Sequence, residues 1–234
     1  MDRCDFLPVS AEEMHERGWW WYDALVVGGD AYVDHPSFGT AVISRVREAE
    51  GLRVAVLAQP DWHDAEAFRA MGRPRLGVFI GAGNLDSMVA HYTAAKRRRS
   101  EDFYSPGKRS GCRPDRAAIV YCNRAREAFG PDVPIILGSL EASLRRFAHY
   151  DYWDDSVRRA ILFDAPADLL VYGMGEAATI EIAHRLKKKQ SVHTMTDIPG
   201  TGYITRDPSV CKFDHITLPS FEAVRDDKRL YAAA

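Results

Sequence analysis

The sequence predicts an α/β protein: a doubly wound, mainly parallel five-stranded sheet of flavodoxin-like order, followed by an irregular C-terminal extension. Three observations carry this. Five short runs rich in Val, Ile and Leu show little polar alternation, as strands covered on both faces do. Segments of helical periodicity separate them. Each run ends in a polar, mostly glycine-bearing stretch, where a parallel strand would turn into its crossover helix.

The predicted strands are 24–27, 53–58, 76–80, 134–137 and 169–172. Right-handed crossovers leave few ways to arrange them. After the first, Pro36 stands at an initial helical position and Gly51 stops the helix, with a stripe of Phe38, Val42, Val46 and Ala49. Asn84 is placed as the cap of a helix carrying Leu85, Met88, Val89 and Tyr92. Pro114 opens a helix whose face is Ala117, Val120, Tyr121, Ala125 and Phe129, with Gly130 beyond its end. A last crossover helix follows Gly175 and carries Ile180, Ala183 and Leu186.

Two regions break the repeat. Residues 147–155 (FAHYDYWDD) are polar and aromatic, and a loop of this kind is a candidate for the active-site mouth or a domain contact. Residues 191–234 carry turn signals at Pro199-Gly200 and Asp207-Pro208, short strands at 203–205 and 215–218, and a helical stretch from 221. The expected division is an α/β domain over 1–190 and an extension or linker over 191–234. The apolar ending Leu-Tyr-Ala-Ala-Ala is expected of a chain that continues into a longer protein.

With 234 residues, 46% of them apolar and 27% charged, the chain has the composition of a soluble globular protein. A chain of this length buries about 70–75% of its unfolded surface, so it folds without disulfides or a structural metal. A net charge of −2 offers no global argument for nucleic acid or an anionic membrane. No apolar stretch approaches the roughly 20 residues of a membrane span, and the N-terminus lacks a signal-peptide block, so the expected location is cytoplasmic. Cys4, Cys112, Cys122 and Cys211 are scattered, without the spacing of a zinc or iron–sulfur motif, and no metal ligands are assigned.

In an open α/β sheet, ligands bind beyond the carboxyl ends of the strands. The residues there are Asp30, Asp34 and His35, then Gly81, Gly83 and Asn84, then Gly138, Ser139 and Glu141, and finally Gly173 and Gly175. They are the candidate ligand-binding residues, expected to gather at one concave edge, with helix capping by Asp34 or His35 as the plain alternative. No catalytic residue is assigned. Gly173-Met174-Gly175-Glu176-Ala177-Ala178 has the letters of a dinucleotide fingerprint. It follows the last strand rather than the first, and Glu176 would bring negative charge where a pyrophosphate would sit. Lys96–Arg116 is the one basic concentration and the basis of an alternative nucleic-acid reading. Cations at a helix C-terminus, expected for Arg97–Arg99 and Lys187–Lys189, are its structural counterpart. Trp19-Trp20-Trp21-Tyr22 cannot all face one side of a regular element, so some of these rings belong below the sheet.

The strings GDAYVDHPSFG (29–39), AQPDW (58–62), GNLDSM (83–88), RPDRA (113–117), EASLRR (141–146), AHYDYW (148–153) and VRR (157–159) closely resemble the N-terminal region of the YgiQ family of radical SAM proteins, over nearly the whole chain. The resemblance implies a cobalamin-binding-like α/β domain ahead of a radical SAM core. It also implies a [4Fe–4S] cluster and S-adenosylmethionine for the full-length family, held by a C-x3-C-x2-C motif that this sequence lacks. The partners implied are that C-terminal radical SAM domain and an unknown small molecule. Cobalamin is a further implied cofactor, with two departures. The D-x-H-x-x-G segment is absent because Asp34 and His35 are adjacent, and Ser139 stands where a second glycine would leave room for a corrin. The resulting expectation is a substrate- or cofactor-binding domain of a radical SAM enzyme, not catalytic alone. A non-catalytic docking module is the alternative.

Overall fold

The computed structural model describes residues 6–234. In chain order its helices and strands are α1 (Ala11–Glu16), β1 (Ala24–Gly28), α2 (Gly39–Ala49), β2 (Val54–Ala58), α3 (Glu66–Arg69), β3 (Gly77–Gly81), α4 (Ser87–His91), α5 (Ala117–Phe129), β4 (Ile135–Gly138), α6 (Ser139–Leu144), β5 (His149–Asp151), β6 (Ser156–Arg158), β7 (Leu169–Val171), α7 (Glu176–Lys187), β8 (Thr201–Gly202), α8 (Phe221–Asp226) and α9 (Lys228–Ala233). The main sheet runs β2-β1-β3-β4-β7-β8. Its first five members are parallel and stand in the flavodoxin-like order expected.

The sheet has six strands rather than five, because β8 pairs antiparallel with the edge of β7. Gly200, at φ +76°, turns the chain back, and Tyr172 N–H donates to its carbonyl at 2.9 Å. The strands expected at 203–205 and 215–218 do not form. Val192, Met195 and Ile198 are buried in the same core as β1 and β3, so the first part of the expected extension is built into the domain.

β1 is buried at every position, as its unbroken apolar run requires. Leu25, Val27, Val78, Ile80, Ile135 and Leu137 face a core shared with Phe68 of α3 and Tyr121, Ala125 and Phe129 of α5. Val26, Phe79, Ile136 and Val171 face the other way, toward Ala178, Ile182 and Leu186 of α7. Tyr22 is buried and donates to Gly72 O at 2.6 Å, while Trp20 is exposed, so the aromatic run divides as expected.

Four helix readings need correction. α2 begins at Gly39, not at Pro36, because residues 35–38 close a turn in which Phe38 N–H donates to His35 O. Its buried positions are Ala41, Ser44 and Arg47, not the apolar stripe. α4 is capped by Asp86, whose carboxylate accepts from Met88 N–H at 2.9 Å, not by Asn84. It ends at His91, and Tyr92 bridges to Arg98, so Arg97–Arg99 lie on the segment that returns past Tyr92 and not at a helix terminus. Lys187 does close α7.

The stretch 148–153 is not an open loop. His149–Asp151 pairs antiparallel with Ser156–Arg158, and the hairpin leans on residues 92–96. Trp153 packs on Tyr92 with ring centroids 4.2 Å apart, and Lys96 Nζ donates to Trp153 O at 2.9 Å.

Candidate functional site

The parallel register brings Gly28, Gly81 and Gly138 abreast at the carboxyl edge of the sheet. Side chains are absent from this row, and below it a cavity of about 300 Å³ opens between the sheet, α2 and the start of α7. Its apolar walls are Val26, Phe79, Ile136 and Val171 from the sheet and Val42 and Ile43 from α2. Val42 and Ile43, on this side of α2, are half-buried. The size is at the small end of ligand pockets, and the position is the strand-order switch at which open α/β sheets take ligands.

The rim collects Gly81, Gly83, Asn84, Gly138, Ser139, Gly173 and Gly175 from the sequence-derived candidates. Asn84 holds the loop after β1: its Oδ1 accepts from Gly39 N–H at 3.3 Å and its Nδ2 donates to Ser37 O at 3.0 Å. Ser139 adopts φ +74°, and its hydroxyl accepts from Ala82 N–H at 3.0 Å, tying the exits of β3 and β4 together.

Asp30 and Glu141 sit behind the rim and do not line the cavity. Asp30, 5% exposed, accepts from Arg113 Nη1 at 2.7 Å and from Asn84 N–H at 2.7 Å. Arg113 forms a two-pronged contact with Asp102, Nη2 donating to Oδ1 at 3.0 Å and Nε to Oδ2 at 3.1 Å. The guanidinium is thereby satisfied by two carboxylates and by Ala82 O. Two glycines permit this closeness. A side chain on Gly29 would strike the carbonyl of Ala82, and Gly83, at φ +115°, faces Asp30 and Arg113. Burial raises the pKa of Asp30 despite the opposing effect of Arg113.

Glu141 is fully buried. Its Oε2 accepts from Ser87 N–H at 2.9 Å and its Oε1 from Ala118 N–H at 3.0 Å, so one carboxylate serves the first turns of α4 and α5. Burial, followed by the neighbouring Asp86, raises its pKa. Asp34 and His35 are not brought into the cavity. Asp34 accepts from Arg45 Nε of α2 at 3.1 Å, and His35 Nδ1 accepts from Ser37 N–H at 3.1 Å, so neither caps α2.

The residue most conspicuously missed from sequence is Arg47. It is 2% exposed and lines the cavity from α2, deep below the rim. Its guanidinium lies over the Phe79 ring, 3.5 Å from the centroid, and Nη1 donates to Ile43 O at 3.1 Å. Its Nε has no partner. Burial pulls its pKa down to about 9. The signal was the spacing Ala41, Ser44, Arg47, which puts small residues and one cation along one face of the helix. Arg113 was visible only as part of a basic run. That run is largely engaged within the fold: Arg116 pairs with Asp151 and Asp154, and Arg99 donates to Val89 O and Tyr92 O.

A family model described as Radical SAM N-terminal matches residues 6–234. A UPF0313 protein of Clostridium botulinum (strain 657 / Type Ba4) is 54% identical over 234 residues, covering 100% of this chain and 36% of the relative. A UPF0313 protein of Clostridium perfringens (strain ATCC 13124) is 52% identical over 232 residues, covering 99% of this chain and 35% of the relative. The chain thus spans little more than a third of the length of these curated relatives. Among solved structures, the radical S-adenosylmethionine methyltransferase TsrM from Kitasatospora setae, with tryptophan substrate and a SAM analogue bound, superposes with a TM-score of 0.50 at 20% identity. The match covers 78% of this chain and 28% of that one, and it is a likeness of fold.

Proposed function

The chain belongs to the radical SAM N-terminal family, and from that premise we propose that it is the ligand-binding domain of a radical SAM protein, taking a small molecule into the cavity between the sheet, α2 and α7. The observation that carries the reading is the apolar cavity at the strand-order switch, rimmed by glycines and Asn84. In this reading the domain works joined to a radical SAM core, which holds the [4Fe–4S] cluster and S-adenosylmethionine.

The residues of this chain do not fit the cluster. C-x3-C-x2-C is absent from the sequence, Cys122 is buried in α5, and among the described residues no group of three or more His, Cys, Asp or Glu could hold a metal ion. No radical step is assigned to this chain. Cobalamin is larger than the cavity, so the cavity would take only part of it, with no lower ligand from His35, whose ring is turned to the backbone of Ser37 outside the cavity.

Thermal-shift titration of the chain with hydroxocobalamin, and separately with S-adenosylmethionine, tests the reading. A ligand of the cavity at 100 times its Kd adds about 2.7 kcal/mol of stability, and Thr40→Trp at the cavity wall removes the shift. Absence of a shift with both, together with no effect of Thr40→Trp on the activity of the full-length relative, would leave the sheet edge as a docking face.

A further inference from the structure

Among the described residues two arginines are withdrawn from solvent, and the fold treats them in opposite ways. Arg113 meets Asp30 and Asp102. Arg47 meets no carboxylate among the described residues, only the Ile43 carbonyl and the face of Phe79. A buried cation is costly unless it is paired, and one backbone carbonyl and an aromatic face return part of that cost. Among the described residues, Arg47 is also the one arginine or lysine lining the cavity.

We propose that Arg47 is the anion receptor of this cavity, and that its ligand is an acid: one carboxylate or phosphate group carried on an apolar body. The proposal rests on the cavity being a ligand site. The apolar body would lie along Val26, Phe79 and Ile136, and the acidic group would meet the Arg47 guanidinium, which has no carboxylate partner among the described residues. A planar guanidinium presents parallel N–H donors to such a group, and the dry walls strengthen the contact. Glu176, on the rim at the start of α7, adds direction. It repels a negative charge left at the mouth, so the bound ligand holds its neutral or cationic end at the rim.

The test uses two fluorescent probes with the same arene body, 8-anilinonaphthalene-1-sulfonate and the neutral N-phenyl-1-naphthylamine. The wild-type chain is expected to bind the sulfonate at least about tenfold more tightly than the neutral probe. Arg47→Met removes that preference and leaves the neutral probe within about twofold, while Arg47→Lys retains part of it. Decanoate and decyl phosphate compete for the sulfonate site, and the stronger competitor tells carboxylate from phosphate. Equal affinity of both probes for wild type, or displacement by neither competitor, would overturn the proposal. Those two results need only the wild-type chain, so a variant that fails to fold leaves the proposal falsifiable. Failure of both probes to bind would instead count against the cavity as a ligand site, and so against the proposal with it.

Discussion

Asp30 and Arg113 are 83 positions apart in the chain and 2.7 Å apart in the fold, both sealed from solvent. Their contact joins the loop after β1 to the segment that opens α5. Asn84 is held from the same carboxylate, so the rim of the cavity is braced from behind.

Asp30→Ala should therefore act on stability before it acts on binding. It strands the Arg113 guanidinium with one carboxylate and frees Asn84 N–H. Breaking such a buried pair costs about 3–5 kcal/mol, read as a lower denaturation midpoint in urea. A loss below about 1 kcal/mol would mean that Asp102 alone satisfies Arg113.

Glu141→Gln keeps the shape of the side chain but replaces one acceptor with an N–H₂ donor. Both carboxylate oxygens accept from backbone N–H groups, so the amide opposes either Ser87 or Ala118. The expected cost is about 1–3 kcal/mol, with faster amide hydrogen exchange in the first turns of α4 and α5. Unchanged exchange in both helices would refute the shared-cap role.

Arg47→Met should stabilise the ligand-free chain. Desolvation opposes the charge of Arg47, and methionine fills a similar volume without it. Replacing buried ionic groups by apolar ones gains about 1–4 kcal/mol in favourable cases, and the lost contact with Phe79 offsets some of that. A melting temperature raised by about 2–6 °C is expected for a chain of this size. A lowered one would make Arg47 a packing residue.

Acid should loosen the β5–β6 hairpin before the sheet. Burial works to raise the pKa of Asp151, but Arg116 and the N–H groups of Trp153 and Asp154 outweigh it, and the net pKa is lowered. A carboxylate held below its unfolded value contributes stability present above about pH 4, which is lost as pH falls through its folded pKa. The tryptophan emission that Trp153→Phe removes should then change in that window, while far-ultraviolet circular dichroism holds. Simultaneous loss of both signals would make the hairpin part of the global unit.

The order of the parallel strands was legible in the sequence, because buried parallel strands must be continuous apolar runs and crossovers have one hand. The same logic put Gly81, Gly138 and Gly173 at one edge, since each follows a parallel strand directly. Only the tertiary structure separated the rim from its supports. Asp30 and Glu141 read as ligand groups because a carboxylate after a strand looks the same whether it faces a cavity or a buried arginine. Asp34 and His35 were adjacent to the right strand but turned to Arg45 and Ser37, a choice made by side-chain partners that no periodicity encodes. Arg47 was the converse: its place on the inner face of α2 followed from helical spacing, but its burial was decided by the packing of α2 on the sheet, which lays the guanidinium on Phe79. That contact joins a helix residue to a strand residue 32 positions away, and a linear sequence does not carry it.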